Sequence, residues 1–92
     1  MKIETVTDFD TALDYGPYSW PGGYPVFFIM ADGEALSFTA ALQNAYLIRE
    51  AIDSPGSDEQ WRAVACDINW ENDSLRCAHT DERIPSAYGE EV

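Results

Sequence analysis

Basic side chains are scarce: five Lys+Arg stand against 17 Asp+Glu, for a formal net charge of −12. That sign argues against charge-driven binding to nucleic acid or to an anionic membrane, which requires clustered Lys and Arg. Long apolar runs are also missing. The strongest, residues 25–31, is far shorter than the ~20 residues that cross a bilayer. The opening Met1-Lys2-Ile3-Glu4 lacks the charged-then-apolar layout of an export signal, so a cytoplasmic chain is expected. With no export signal, Cys66 and Cys77 are expected as free thiols, since disulfides belong to oxidising compartments. Their pairing across a hairpin stays open on sequence grounds. There is one histidine, and there are no internal repeats and no low-complexity segment.

What the chain does have is 46% hydrophobic and 13% aromatic residues. That is core-forming content, and it separates this chain from acidic disordered tails. Ninety-two residues make one domain, 1–92. Residues 1–7 alternate as a short strand. Thr7 and Asp10 have the spacing of a capping box, Phe9, Ala12 and Leu13 follow at helical spacing, and Gly16-Pro17 ends the helix. Residues 16–23 read as loop. Residues 24–30 are the clearest strand, apolar on both faces, which calls for cover on both sides or one face kept for a partner. Asp32-Gly33 signals a type I′ turn into a return strand over 34–38. The period then becomes 3.6, predicting one helix over 39–53 with a stripe of Leu42, Ala45, Tyr46, Ile48 (or Arg49) and Ile52. Ser54-Pro55-Gly56-Ser57 stops it. Residues 61–70 alternate, with Val64, Cys66, Ile68 and Trp70 on the apolar side and Ala63, Ala65, Asp67 and Asn69 on the other. After a turn at 71–74, residues 75–79 are expected to pair back, and 80–92 to fray as a flexible acidic tail. The expected fold is α+β: an antiparallel β-sheet built from two hairpins, one main helix packed on one face, and a short N-terminal helix.

Catalysis is hard to assemble from these residues. His79 has no sequence-evident nucleophile to serve, and no nucleophile elbow, phosphate loop or HExxH motif is present. Zinc would have only Cys66, Cys77 and His79. A calcium loop starting at Asp67 fails, because Asn72 sits where glycine is needed and Ala78 where a bidentate Glu is needed. No cofactor is expected, and the chain reads as a non-enzyme.

The acidity carries the functional argument. A compact chain of this length is roughly 30 Å across, and B-DNA of that length carries on the order of 18 phosphate charges. Seventeen acidic side chains approach that number. Such a surface would be drawn to the basic groove of a nucleic-acid-binding protein, although solubility alone also accounts for a negative charge. Loop-borne aromatics, Tyr18 and Trp20, are of the type that anchors interfaces, whereas Trp70 is expected in the core.

The segments Tyr24-Pro25-Val26-Phe27-Phe28-Ile29, Trp61-Arg62-Ala63-Val64-Ala65-Cys66-Asp67-Ile68-Asn69-Trp70-Glu71 and Ile84-Pro85-Ser86-Ala87-Tyr88-Gly89-Glu90 resemble a group of small phage- and plasmid-borne proteins with a zinc-ribbon-like arrangement. In that pattern one CxxC follows the first hairpin and a second precedes the tail. Here Ser37 and Ala40 stand at the first pair, while Cys77 and Thr80 stand at the second. At most one ligand of four matches, and Leu36 and Phe38 are expected to supply core in place of the metal. The length and acidity further resemble phage anti-CRISPR proteins of the type I-F inhibiting class. That resemblance implies a non-enzymatic inhibitor in the bacterial host cytoplasm, which binds the Cas proteins of an RNA-guided surveillance complex and blocks target DNA. It implies no membrane contact and no direct DNA binding. The alternative it leaves is a metal-free ribbon-like adaptor for another phage or plasmid protein. The contacts expected are Asp67, Asn69, Glu71 and Asp73 on the solvent face and turn of the second hairpin, with Asp81 and Glu82 nearby. Tyr18 and Trp20 serve as secondary anchors, and the four arginines could touch guide RNA.

Overall fold

The computed structural model describes residues 1–19, 24–54, 56, 59–70, 72 and 74–86. Helix α1 spans Val6–Tyr15, β1 Tyr18–Ser19, β2 Tyr24–Met30, β3 Ala35–Ser37, α2 Phe38–Gln43, α3 Ala45–Asp53 and β4 Ala63–Ile68. The chain is α+β, as expected. β2 is central: Phe27, Phe28 and Ile29 pair antiparallel with β3 and also with β4, while β1 pairs with the start of β2. No helix among the described residues is long and apolar enough to cross a membrane.

Helix α1 starts two residues earlier than the Thr7–Asp10 spacing suggests. The chain carries Thr-x-x-Asp at 5–8, 7–10 and 11–14, and the first copy caps the helix. Thr5 Oγ1 accepts from the Asp8 N–H at 3.1 Å, and Asp8 Oδ2 accepts from the Glu4 and Thr5 N–H groups at 3.0 and 3.2 Å. The strand expected over 1–7 is correspondingly short. It is reduced to a Lys2–Ala65 bridge, with Met1 and Ile3 bonded to Cys66 and Val64, which covers the outer edge of β4. The Glu4 N–H, helped by the Thr5 N–H and hydroxyl, holds the Asp8 carboxyl below its usual range against the opposing effect of burial. An acid with a depressed folded pKa stabilises the fold above its unfolded value and loses that contribution as pH falls through the folded one. Asp8→Asn is therefore expected to lower Tm at pH 7, with the gap to wild type narrowing as pH falls through the depressed pKa of the Asp8 carboxyl.

The first hairpin forms, but not through a two-residue turn. Met30 N–H bonds Glu34 O at 2.9 Å, Gly33 N–H bonds Met30 O at 2.9 Å, and Asp32 Oδ1 accepts from Glu34 N–H. Gly33 has φ +88° and Asp32 is not left-handed. This is a three-residue loop closed by a left-handed glycine, where a type I′ turn would need positive φ at both central residues. A Cβ on Gly33 would meet nothing within 4 Å, so Gly33→Ala isolates backbone strain from clash. We expect a loss of about 1 kcal/mol in urea unfolding, less for Gly33→Asn.

The helix expected over 39–53 is two helices. Ser37 caps the first, its Oγ accepting from Ala40 N–H. At Asn44 (φ −115°, ψ 24°) the backbone N–H and the side-chain Nδ2 both bond Ala40 O, and the chain restarts as α3. The buried stripe is Ala40, Ala41, Ala45, Ile48, Ala51 and Ile52, while Leu42 and Tyr46 are exposed. Small residues take the inside because the sheet supplies the bulk. Fully buried Phe28 meets Phe9 of α1 at 5.4 Å between ring centroids and Phe38 of α2 at 6.2 Å. Leu36 and Phe38 do join the core. On the opposite parity of β2, Phe27 and Ile29 remain half-buried.

β4 also departs from simple alternation. Ile29 faces Ala65 but Met30 faces Ala63, so Val64 is an extra residue in a bulge, and Ala63 with Cys66 takes the core side. Trp70 lies beyond the strand, 43% exposed and tilted against Tyr24 at 4.8 Å; it is not a core residue. Among the described residues, 75–79 do not pair back with β4 as the expected second hairpin requires. Residues 75–77 pair with 82–84 instead, through Cys77 N–H to Glu82 O and Ile84 N–H to Leu75 O. This small loop docks on β3 by Ala78 N–H to Ala35 O. Ile84 and Ser86 are buried, so the chain is packed through Ser86 and does not fray from Thr80. Residues 87–92 of the expected tail, residues 20–23 of the loop, residues 55 and 57 of the helix stop, residue 58 after it, and residues 71 and 73 of the expected turn lie outside the described set.

Cys66 and Cys77 are free and buried. Cys66 pairs with Phe28, which pairs on its other side with Leu36. Two strand spacings, about 10 Å, therefore separate Cys66 from β3, on which Cys77 rests. A disulfide needs Cα atoms within about 7 Å.

Candidate functional site

An apolar concavity of ≈ 410 Å³ is bounded by the end of α1, the start of β1, β2 and the Cys66–Ile68 end of β4. Its position follows from the local sequence. Gly16, at φ +86°, ends α1 by donating its N–H to Leu13 O. Pro17 then starts an extended segment whose carbonyl accepts from Val26 N–H. That sharp reversal places Tyr15 and Tyr18 on the rim, 73% and 57% exposed. Ala12, Val26 and Ile68 form apolar wall. Asp67 also lines the groove, exposed, with Oδ1 accepting from Ile68 N–H at 2.8 Å. The amino terminus of Met1 sits at the same groove and is committed to Cys66 O at 2.7 Å.

Two expected contact residues, Tyr18 and Asp67, thus come together. Asp81 and Glu82 are exposed but belong to the 75–84 loop and do not line the groove. Asp81 holds a left-handed backbone, φ 60°, at the tip of that loop. Asn69 is no contact residue: it is 3% exposed. Its Nδ2 donates to the carbonyls of Asn72, Ile84 and Pro85 at 2.9, 3.2 and 3.0 Å, and its Oδ1 accepts from Asn72 N–H. It bolts the C-terminal segment to the end of β4. Glu71, Asp73 and Trp20 lie outside the described residues. Tyr15 was missed in the sequence, although Tyr15-Gly16-Pro17-Tyr18, two tyrosines flanking a helix stop, is the local signal that points to it.

Among the five basic residues, Arg49, Arg62 and Arg76 bond the chain's own acceptors. Arg49 Nε meets Asp10 Oδ1 at 2.8 Å, joining α3 to α1. Arg62 is bidentate on Glu59, and Arg76 bonds Asp81 O. Exposed contacts of this kind contribute little to stability, because solvent screens them.

The four ribbon-ligand positions are also neighbours. Ser37 N–H donates to Cys77 Sγ at 3.3 Å, Ser37 Oγ holds Ala40 N–H, and the Thr80 hydroxyl and N–H bond the Cys77 sulfur. Burial pushes the Cys77 thiol up, but the Ser37 and Thr80 donors outweigh it and bring it below its usual value. Burial raises Cys66. One sulfur does not make a zinc site, and no group of three His, Cys, Asp or Glu that could hold a metal occurs among the described residues. His79 is exposed, edge-on to Trp61 at 5.2 Å.

No protein-family model matches the chain, and neither the curated proteins nor the solved structures contain a significant match.

Proposed function

We propose that the chain is a stoichiometric protein inhibitor that binds an RNA-guided type I CRISPR surveillance complex on its basic, nucleic-acid-holding surface and blocks target DNA. The observation that carries this reading is charge density. The fold measures 42 × 26 × 19 Å, and a duplex 42 Å long carries about 25 phosphates at one per ~1.7 Å. Seventeen carboxylates on a body of that length reach roughly two-thirds of the duplex density. Arg49, Arg62 and Arg76 are engaged with the chain's own acceptors, which favours protein surface over guide RNA as the main contact. Association is expected to be fast and salt-sensitive, because exposed charges steer encounter and are screened beyond ~10 Å at 0.1 M salt. Pull-down with the purified surveillance complex tests the reading. Retention at low salt that falls steeply as salt is raised supports it, and absence of retention at low salt rejects it.

A second reading is favoured by the Ser37–Cys77–Thr80 cluster. Two turns held together around one sulfur are what a ribbon would keep after losing its metal, with Leu36 and Phe38 as the replacement core. On that reading the chain is a metal-free adaptor for another phage or plasmid protein, and it would leave DNA binding by the surveillance complex unchanged.

A further inference from the structure

We infer that the groove between α1 and β4 is a receptor for an arginine side chain presented by a basic segment of the partner protein. The inference rests on the reading of the chain as a binder of basic protein surface, but not on which complex supplies that surface.

The groove offers the three features an arginine uses. Ala12, Val26 and Ile68 give apolar wall for the aliphatic stem, which long cationic side chains bury while keeping the head polar. Tyr15 and Tyr18, both well exposed, stand at the rim, where a guanidinium can stack on a ring face within about 6 Å of its centre. Asp67 supplies the carboxylate, held in place by the Ile68 N–H on one oxygen. The cation already present, the Met1 ammonium, donates to the Cys66 carbonyl at 2.7 Å. The chain's charge of −12 selects a cationic occupant over an anionic one. A planar guanidinium stacks on aromatics and matches a carboxylate fork, whereas an ammonium does neither as well, so arginine is preferred to lysine.

The test uses the full chain, labelled for NMR, titrated at low salt with Ac-Gly-Arg-Arg-Gly-NH2 and with the citrulline and lysine versions of the same peptide. Citrulline keeps the shape and hydrogen-bonding edge of arginine but not its charge. The inference predicts shifts centred on Tyr15, Tyr18, Asp67 and Ile68, weaker binding of the lysine peptide, and loss of most shifts with citrulline. Asp67→Asn and Tyr18→Ala should each weaken the arginine peptide about fivefold or more, while Tyr46→Ala, on the exposed side of α3, should not. Equal response to arginine and citrulline, or arginine-induced shifts spread over all acidic positions, would overturn it. Failure of pull-down with the surveillance complex while the arginine peptide still seats in the groove would remove the proposed target and leave the receptor standing.

Discussion

Asn69→Asp is expected to destabilise the fold by on the order of 3–5 kcal/mol at pH 7, with almost no change in side-chain volume. The amide nitrogen of Asn69 faces three carbonyl oxygens, and its own oxygen faces an N–H. That pattern fixes the orientation of the amide, because only a donor satisfies three acceptors. A carboxylate there turns attraction into repulsion, leaves the Ile84 and Pro85 carbonyls without their donor, and places a charge at a buried site. The sign of the pH dependence follows. Burial and facing carbonyls raise the folded pKa of the introduced acid above its unfolded value, so the penalty is complete above the folded pKa and shrinks as pH falls through it. Urea unfolding of wild type and variant at pH 7 and at pH 4.5 measures both effects. A penalty under about 1 kcal/mol at pH 7, or one unchanged at pH 4.5, would contradict the role assigned to this side chain.

Phe28→Ala is expected to cost about 3–5 kcal/mol, the usual range for removing a buried aromatic ring. A 92-residue chain has a total stability of roughly 5–14 kcal/mol, so this one change removes a large share of it. Phe28 is fully buried on the central strand, between Phe9 of α1 and Phe38 of α2. Its loss opens a cavity at the point where both helical layers meet the sheet, and the alanines at 40, 41 and 45 have no reach to refill it. Phe27→Ala, one position away on the half-buried opposite face, should cost clearly less. Denaturation monitored by tryptophan fluorescence reads both variants, and equal losses would show that the two faces of β2 are not distinguished as described.

Strand β2 was legible to the residue, because the apolar run of Val26, Phe27, Phe28 and Ile29 between a Gly-rich loop and an Asp-Gly turn admits few other structures. The class of fold followed from the alternation of strand and helix periods. The phase of the helical region was not legible. Reading Leu42 and Tyr46 as core assumes one uninterrupted helix and the largest side chains inside, whereas Asn44 breaks the helix and the bulky sheet residues favour alanine on the facing helices. The Thr5 and Thr7 copies of Thr-x-x-Asp were locally equivalent as helix starts. Only the docking of residues 1–3 on β4 selects the upstream copy, by requiring the chain to turn at once into α1. The C-terminal region was the least legible. Residues 75–77 and 82–84 form a loop too short for periodicity, tied to β3 by a single backbone bond and to β4 by one asparagine amide, and none of these partners is near in sequence. The same cause explains the site. Tyr18 and Asp67 were chosen separately, one as a loop aromatic and one as a strand carboxylate, and only the fold brings them to one groove. Asn69, chosen by the same alternation as Asp67, was drawn inward because β4 ends before it and the backbone is free to turn its amide to the C-terminal segment.

The central claim is that this acidic surface occupies the place of nucleic acid on a basic partner. An electrophoretic assay of target-DNA binding by the RNA-guided surveillance complex, with the protein added in increasing amounts, tests it most directly. The account predicts that the shifted DNA band disappears at near-stoichiometric protein and returns as salt is raised or when Asp67 and Tyr18 are both replaced. Undiminished DNA binding at a large molar excess of protein in low salt would contradict it.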